Sequence, residues 1–175
     1  MNKWMHWTVL GLVATIAGCG QSDSANTALE GGGEAGAGSA YVAHSEPAGA
    51  VPVGEAPQDF QADETVTLVG LIGGSAKPFV EGLAAFTIVD PKIPYCAPDE
   101  GCPTPWDYCC TQDQVEGNIA TVKVVDEEGK PVVGDARQLL AVKELSTVVV
   151  QGTAERDEQG NLTVAAKHVF VRPAQ

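Results

Sequence analysis

Regular alternation of apolar and polar residues is confined to the C-terminal part of this chain, residues 63–175. The preceding residues 20–62 show no apolar period, contain no lysine or arginine, and include a run of three glycines and three separate prolines. A segment of this kind buries too little apolar surface to offset the entropy of ordering its backbone. We therefore predict one folded domain at residues 63–175, preceded by a disordered spacer that, together with Cys19, spans residues 19–62.

Five segments of the folded region have the alternation of β-strands. They are residues 65–72, 84–89, 119–126, 147–154 and 162–171. Residues 136–145 have a helical apolar period, and Asp135 precedes them as an N-cap, which predicts a helix of about three turns. The order β-β-β-α-β-β resembles the OB-fold, an all-β, five-stranded Greek-key barrel with its helix between the third and fourth strands. A small sandwich or a swapped-hairpin barrel is the alternative.

The resemblance to the OB-fold implies where a ligand would bind. A barrel of this size is filled by side chains, so no internal ligand cavity is expected. OB-folds bind on the outer face of the second and third strands and on the neighbouring loops. In this chain a long insertion, residues 91–117, falls between those two strands.

The first 18 residues have the layout of a secretory signal, with Lys3 near the start, an apolar stretch and small residues at the end. The apolar stretch is shorter than the roughly 20 residues that span a bilayer. The last residues, Ile16-Ala17-Gly18-Cys19, resemble the lipobox of bacterial lipoproteins. That resemblance implies cleavage before Cys19, a diacylglyceryl thioether on its thiol and an acyl chain such as palmitate on its amine. A plain secretory signal with an incidental cysteine is the alternative.

Two or three acyl chains hold a protein firmly on a membrane, whereas one chain does not. We therefore expect a cell-envelope lipoprotein that is bound to a membrane through Cys19. In the sorting rule of some Gram-negative bacteria, aspartate after the lipidated cysteine retains the protein in the inner membrane. Gly20 occupies that position here, which favours the outer membrane, with the domain facing the periplasm or the exterior.

The charge of the chain argues against a nucleic-acid partner. Lysine and arginine number 10 against 23 for aspartate and glutamate, which gives a formal net charge of −13. A chain this acidic is repelled by a phosphate backbone.

Four of the five cysteines, Cys96, Cys102, Cys109 and Cys110, lie in the insertion. With Cys19 lipidated, the remaining number is even, which is typical of disulfides in an oxidising compartment. A bond between the adjacent Cys109 and Cys110 would form a strained ring. We therefore predict that Cys96 and Cys102 each pair with one of the two, and the choice between the two connectivities stays open.

A metal site is the alternative use of the same four cysteines. Four thiolates bind zinc tetrahedrally or hold an iron–sulfur cluster. The spacing C-x5-C-x6-C-C matches neither a zinc ribbon nor a ferredoxin, and copper(I) would find no methionine in the folded region. The expectation is therefore no cofactor, with zinc or another thiolate-bound metal as the alternative.

Between the cysteines lie the binding candidates Trp106, Asp107 and Tyr108. Rings held in a braced loop could form a recognition surface, since tryptophan and tyrosine dominate binding hot spots. Alternatively, Trp106 folds back to cap the barrel. Nearby acids could bind calcium weakly, namely Asp99, Glu100, Asp107 and Asp113. The stretch Cys-Pro-Thr-Pro-Trp-Asp-Tyr-Cys-Cys is similar to a motif in uncharacterised small exported bacterial proteins, which implies a shared architecture and no particular activity.

No catalytic motif is present in the sequence. His168 is the sole histidine of the folded region, and ideal alternation places it on the core-facing side of its strand. The leading hypothesis is a non-enzymatic envelope lipoprotein that presents a disulfide-braced loop to an envelope protein or a glycan. The alternative is a metal-binding or thiol-redox envelope protein that uses the four cysteines.

Overall fold

The computed structural model describes residues 40–59 and 64–174. The predicted signal segment, Cys19 and residues 20–39 and 60–62 of the predicted spacer lie outside these residues. Within the described part, the strands are β1 Val51–Pro52, β2 Thr65–Ile72, β3 Ala85–Val89, β4 Ile119–Val124, β5 Thr147–Arg156 and β6 Leu162–Val171. The helices are α1 Gln112–Val115 and α2 Ala136–Leu140. Four of the five predicted strands start where the sequence placed them, and all five boundaries agree within about two residues.

Strands β2 to β6 close into a five-stranded barrel. β2 pairs antiparallel with β3, β3 with β4, and β5 with both β2 and β6, while β4 and β6 run parallel. Helix α2 lies between the third and fourth barrel strands, and the cysteine-rich loop lies between the second and third. This connectivity confirms the prediction of an all-β, OB-like barrel, and it excludes a two-sheet sandwich because the sheet closes on itself.

The barrel interior is filled by the alternating strand faces that the sequence predicts. In β4, Val122 and Val124 are fully buried, whereas Lys123 between them is exposed. Phe86 of β3 is also fully buried and contacts Phe79, whose ring centroid lies 6.0 Å from its own. Burial of these side chains is the main favourable term for the fold.

Residues 40–59 belong to the fold, so the prediction of a disordered spacer is wrong for this part of the chain. Val53 is buried in the core at 1 % exposure, and β1 pairs in parallel with β2. The amide of Ala43 donates to the carbonyl oxygen of Val169 (2.9 Å), and Arg172 forms two hydrogen bonds with the carboxylate of Glu46. The few apolar residues of this segment pack against the barrel. A search for local periodicity does not detect such contacts between distant residues.

Asp90 anchors this N-terminal segment to the barrel. Its side chain is fully buried, and its carboxylate accepts hydrogen bonds from the amides of Gly54 (2.7 Å) and Lys92 (2.9 Å). The exposed Lys92 ammonium lies 3.8 Å from the same carboxylate. The carboxylate therefore satisfies two amides at the junction between the segment and the end of β3.

We expect Asp90→Ala to lower the free energy of unfolding by roughly 2–4 kcal/mol, because two amides lose their acceptor. Lys92→Ala is the matched control, since it removes only the exposed ion pair and should cost less than about 1 kcal/mol. Urea unfolding followed by circular dichroism measures both. Equal losses in the two variants would contradict the anchoring role of the carboxylate.

His168 is exposed, so the prediction that it faces the core is wrong. The register of β5 and β6 shifts between Gln151 and Gly152, because Lys167 is an extra residue in β6. Such a bulge reverses the alternation that follows it, and Val169 is buried in place of His168. A Cβ atom at Gly152 would lie under 3.0 Å from backbone atoms of β6. Glycine is therefore needed where the bulge brings the two strands close together.

Helix α2 is shorter than the predicted residues 136–145. Asp135 caps it as expected, with its carboxylate accepting from the Arg137 amide at 2.8 Å. The helix ends at Ala141, whose backbone is left-handed at φ 53°. Beyond it the Leu145 amide donates to the Ile72 carbonyl oxygen (2.8 Å). Hydrogen bonding to β2 thus replaces the last predicted turns.

Candidate metal centre

The cysteine-rich loop is closed at its base and has an apolar core of its own. The Asp90 amide donates to the Asn118 carbonyl oxygen (2.9 Å), which joins the chain after β3 to the chain before β4. Four buried residues form the small core, and Ile119 packs against them. They are Val89, Ile93, Tyr108 and Val115. The loop is therefore an ordered unit on the barrel.

Three short helical turns shape this loop, where the sequence predicts no secondary structure. Two are 3-10 turns, Pro98–Glu100 and Pro105–Asp107, and the third is helix α1. The amide of Thr111 donates to the carbonyl oxygen of Tyr108 (2.9 Å), and the Thr111 hydroxyl donates to that of Pro94 (2.9 Å). These turns fold the loop back on itself.

The folded loop brings the four cysteines into one cluster. Their Sγ atoms all lie within 4.8 Å of one another. The Sγ–Sγ distances are 3.1 Å for Cys102–Cys109, 3.3 Å for Cys96–Cys109 and 3.5 Å for Cys96–Cys110. The pairs Cys102–Cys110 and Cys109–Cys110 are each separated by 3.8 Å.

All four cysteines are free thiols in this structure. None of their pairs is near the roughly 2.05 Å of a disulfide bond. The predicted pairing of Cys96 and Cys102 with Cys109 and Cys110 therefore stays a prediction for an oxidised form.

The sulfur geometry resembles that of a site for a single metal ion. A tetrahedral zinc ion with Zn–S bonds of about 2.3 Å holds its sulfurs about 3.8 Å apart. An iron–sulfur cluster contains several bridged irons and would separate its thiolates further than one ion does. The spacing C-x5-C-x6-C-C does not prevent such a site, because the helical turns bring distant residues together.

The cluster has a buried side and an exposed side. Cys96 is 2 % exposed, Cys102 is half-buried, and Cys109 and Cys110 are exposed. A ligand set of this kind is fixed from the protein side and open to ions and reagents from solvent.

Hydrogen bonds within the cluster favour a thiolate at Cys96. The backbone N–H of Cys110 donates to the Cys96 sulfur and lowers the pKa of that thiol. The hydrogen bond with Cys102 raises the pKa of Cys109, and the hydrogen bond with Cys96 raises the pKa of Cys110 to about 11. The metal-free cluster at neutral pH is therefore largely protonated at its exposed side.

Trp106 is half-buried and contacts the residues that follow β2. Its indole Nε1–H donates to the Ala76 carbonyl oxygen (3.3 Å), and its own carbonyl oxygen accepts from the Gly74 amide (2.8 Å). A Cβ atom at Gly73 would lie 2.6 Å from that carbonyl oxygen. Gly73 and Gly74 therefore allow the loop to approach the end of β2 closely. No local feature of the sequence indicates this role.

Tyr108 is fully buried, so the prediction that it contributes an exposed ring is wrong. Its hydroxyl has no hydrogen-bond partner among the described residues. Burial raises the pKa of Tyr108 to about 12. The side chain supports the loop from inside, next to the two adjacent cysteines.

Asp107 positions Cys109 and is not a free surface carboxylate. It accepts hydrogen bonds from the Thr104 hydroxyl (2.6 Å) and the Cys109 amide (2.9 Å). These bonds, that of Thr104 first, lower the pKa of the carboxyl group. Among the residues that the structure describes, the four cysteines form the group suited to a metal, and the loop acids do not converge into a second one.

No family model, curated protein or solved structure matches this chain. In the described residues, no helix is long and apolar enough to cross a membrane. The case for a function therefore rests on the chemistry of the site, because a barrel fold alone does not specify one.

Proposed function

We propose that this protein is a non-enzymatic metal-binding protein whose OB-like domain holds one zinc ion through Cys96, Cys102, Cys109 and Cys110. The observation that carries the proposal is the mutual approach of all four Sγ atoms to within 4.8 Å. Four thiolates complete the tetrahedral shell of zinc and leave no open coordination position, which is typical of a structural or storage site.

The support of the cluster agrees with this role. The buried Cys96 is tied to the loop through its amide, which donates to the Pro105 carbonyl oxygen (3.4 Å). Cys109 is held through its amide by Asp107. Hydrogen bonds of this kind, made to the backbone of the ligand residues, orient the ligands of metal sites.

The test is the metal content of the protein purified in its reduced form without chelators. We expect about one zinc ion per chain. The same purification of a variant with all four cysteines changed to serine is the control, and equal zinc content in both would contradict the proposal.

A disulfide-braced binding module is the second candidate. It is favoured by the even number of cysteines left once Cys19 is lipidated. It is also favoured by the ring of Tyr95, which precedes Cys96 and is 44 % exposed. In this case the loop would contact an envelope protein or a glycan. Metal-free native protein that cannot take up zinc after reduction would favour it.

The zinc affinity should rise with pH. The metal-free cluster carries protons on Cys109 and Cys110, whose pKa values are raised, and zinc displaces them. Because the free form binds more protons than the zinc form, acid favours release. Competition with a chromophoric chelator between pH 6 and pH 8 measures the trend, and a pH-independent affinity would contradict thiolate ligation.

We further propose that the chain is anchored to the cell envelope through a lipid on Cys19, with the outer membrane favoured. The lipobox-like residues 16–19 support this proposal. Cys19→Ala should move the protein from the membrane fraction to the soluble fraction, because two or three acyl chains account for firm attachment. Fractionation of cells that express each form measures the shift, and unchanged partitioning would reject lipid anchoring.

A further inference from the structure

The four thiols are arranged as two nested pairs. The shortest Sγ–Sγ distance joins Cys102 and Cys109 (3.1 Å), and the remaining two thiols, Cys96 and Cys110, are 3.5 Å apart. The crossed pairing would join atoms separated by 3.3 Å and 3.8 Å. The nested pairing therefore contains the shortest of these four distances and the crossed pairing the longest, although Cys96 itself lies nearer to Cys109 than to Cys110.

Each nested pair also contains one sulfur that solvent reaches. Cys109 is exposed beside the half-buried Cys102, and Cys110 is exposed beside the buried Cys96. The exposed member can attack a disulfide reagent in solution, and the inner member then lies within reach to complete the bond. Access of this kind distinguishes reactive cysteines from inert buried ones.

We propose that this centre is redox-controlled: an organic disulfide converts it to a metal-free state with Cys102–Cys109 and Cys96–Cys110 bonds. The inference rests on the proposed zinc site and adds its regulation. It also assigns the connectivity of the oxidised form.

The chemistry is thiol–disulfide exchange. In the zinc-loaded site all four sulfurs would be thiolates. The exposed Cys109 thiolate attacks the organic disulfide, forms a mixed disulfide and expels one reagent thiolate, which takes up a proton from solvent. The Cys102 thiolate then attacks the Cys109 sulfur, forms the protein disulfide and expels the second reagent thiolate with another proton. The second pair follows through Cys110 and Cys96 in the same way.

The electrons and atoms balance. Four protein thiolates lose four electrons and become two disulfides, while two molecules of the organic disulfide become four thiols with four protons from solvent. The divalent ion, left without thiolate ligands, passes into solution. The inner sulfurs need to move little, because closing the Cys102–Cys109 pair shortens its separation by only about 1 Å.

The buried support of the loop is compatible with both states. Tyr108 directly precedes the two adjacent cysteines and is fixed in the small apolar core with Val89. Neither bond includes a residue of this core, so both bonds can form while the core stays in place.

The test uses the reduced full-length chain loaded with one equivalent of Zn²⁺ and treated with oxidised glutathione in the absence of oxygen. We expect zinc release, measured with a chromophoric chelator, to accompany the formation of two disulfides. Their formation lowers the mass of the protein by about 4 Da relative to the reduced metal-free chain. Retained zinc, or zinc release with stable glutathione adducts in place of internal bonds, would overturn the inference. If the reduced chain takes up no zinc, the proposed zinc site itself fails, and the connectivity is tested on the metal-free chain.

Four double serine variants test the connectivity. Cys102→Ser/Cys109→Ser and Cys96→Ser/Cys110→Ser keep the nested pairs. The clearest difference in separation is between Cys102–Cys109 (3.1 Å) and Cys102–Cys110 (3.8 Å), so the first of these two pairs should form its disulfide faster. The crossed pairs remain in Cys96→Ser/Cys109→Ser and Cys102→Ser/Cys110→Ser. Equal or faster closure of Cys102–Cys110 than of Cys102–Cys109 would overturn the assignment.

A second measurement does not depend on the folding of the variants. The oxidised wild-type chain is partially reduced and alkylated, and fragmentation between Cys109 and Cys110 in the mass spectrometer identifies the partner of each. Crossed partners would contradict the proposal.

Discussion

Cys96→Ser should reduce the zinc affinity of the reduced chain by more than about a hundredfold. Loss of a hydrogen bond that only orients a ligand lowers the metal affinity roughly 10- to 100-fold, and this substitution removes a ligand itself. Cys96 is the buried ligand, at 2 % exposure, so solvent is poorly placed to replace its sulfur. Competition with a chelator of known affinity measures the change.

Asp113→Asn is the matched control for this prediction. Asp113 lies in the same loop, on helix α1, and its carboxylate does not belong to the cysteine group. The control should bind zinc as the unaltered chain does. A similar loss in both variants would mean that the loop charge, and not the thiolate set, determines the affinity.

Tyr108→Ala should lower the free energy of unfolding by about 3–5 kcal/mol, because it empties the centre of the small apolar core. The zinc affinity should fall with it, since Tyr108 fixes the backbone that leads into Cys109 and Cys110. Urea unfolding, followed by the fluorescence of Trp106, measures the stability.

Tyr108→Phe separates the ring from its hydroxyl. The ring and the left-handed backbone (φ 58°) are kept, while a buried hydroxyl without a partner among the described residues is removed. We expect an increase in stability of roughly 1 kcal/mol. A Tyr108→Ala protein as stable as Tyr108→Phe would contradict the packing role of the ring.

The barrel could be predicted from the sequence because its strands carry their signal locally. In β4, the alternation of Val122 and Val124 with Lys123 fixes both the strand and its buried face. The order of elements then limited the topology to a few choices, among them the observed one.

The places where the prediction failed depend on contacts between distant segments. Val53 is buried only because the finished barrel offers a site for it. His168 is exposed because a bulge opposite Gly152 shifts the register. Alternation within one strand carries no information about either event.

The residues of the candidate site could be predicted from the sequence, but their arrangement in space could not. The sequence identified all four cysteines, but their spacing matches neither a zinc ribbon nor a ferredoxin. The helical turns that bring them together have no signal in that spacing. Tyr108 was expected at the surface. An aromatic residue between cysteines gives the same sequence pattern whether its ring binds a partner or packs in a core.

The central claim is that the reduced chain holds one zinc ion through four thiolates. Native mass spectrometry of the reduced full-length chain during titration with Zn²⁺ tests it most directly, with alkylation of the thiols as a parallel measurement. We expect one zinc ion per chain, saturation at one equivalent, and protection of Cys96, Cys102, Cys109 and Cys110 from alkylation. A chain that stays metal-free at one equivalent, with all four thiols open to alkylation, would contradict it.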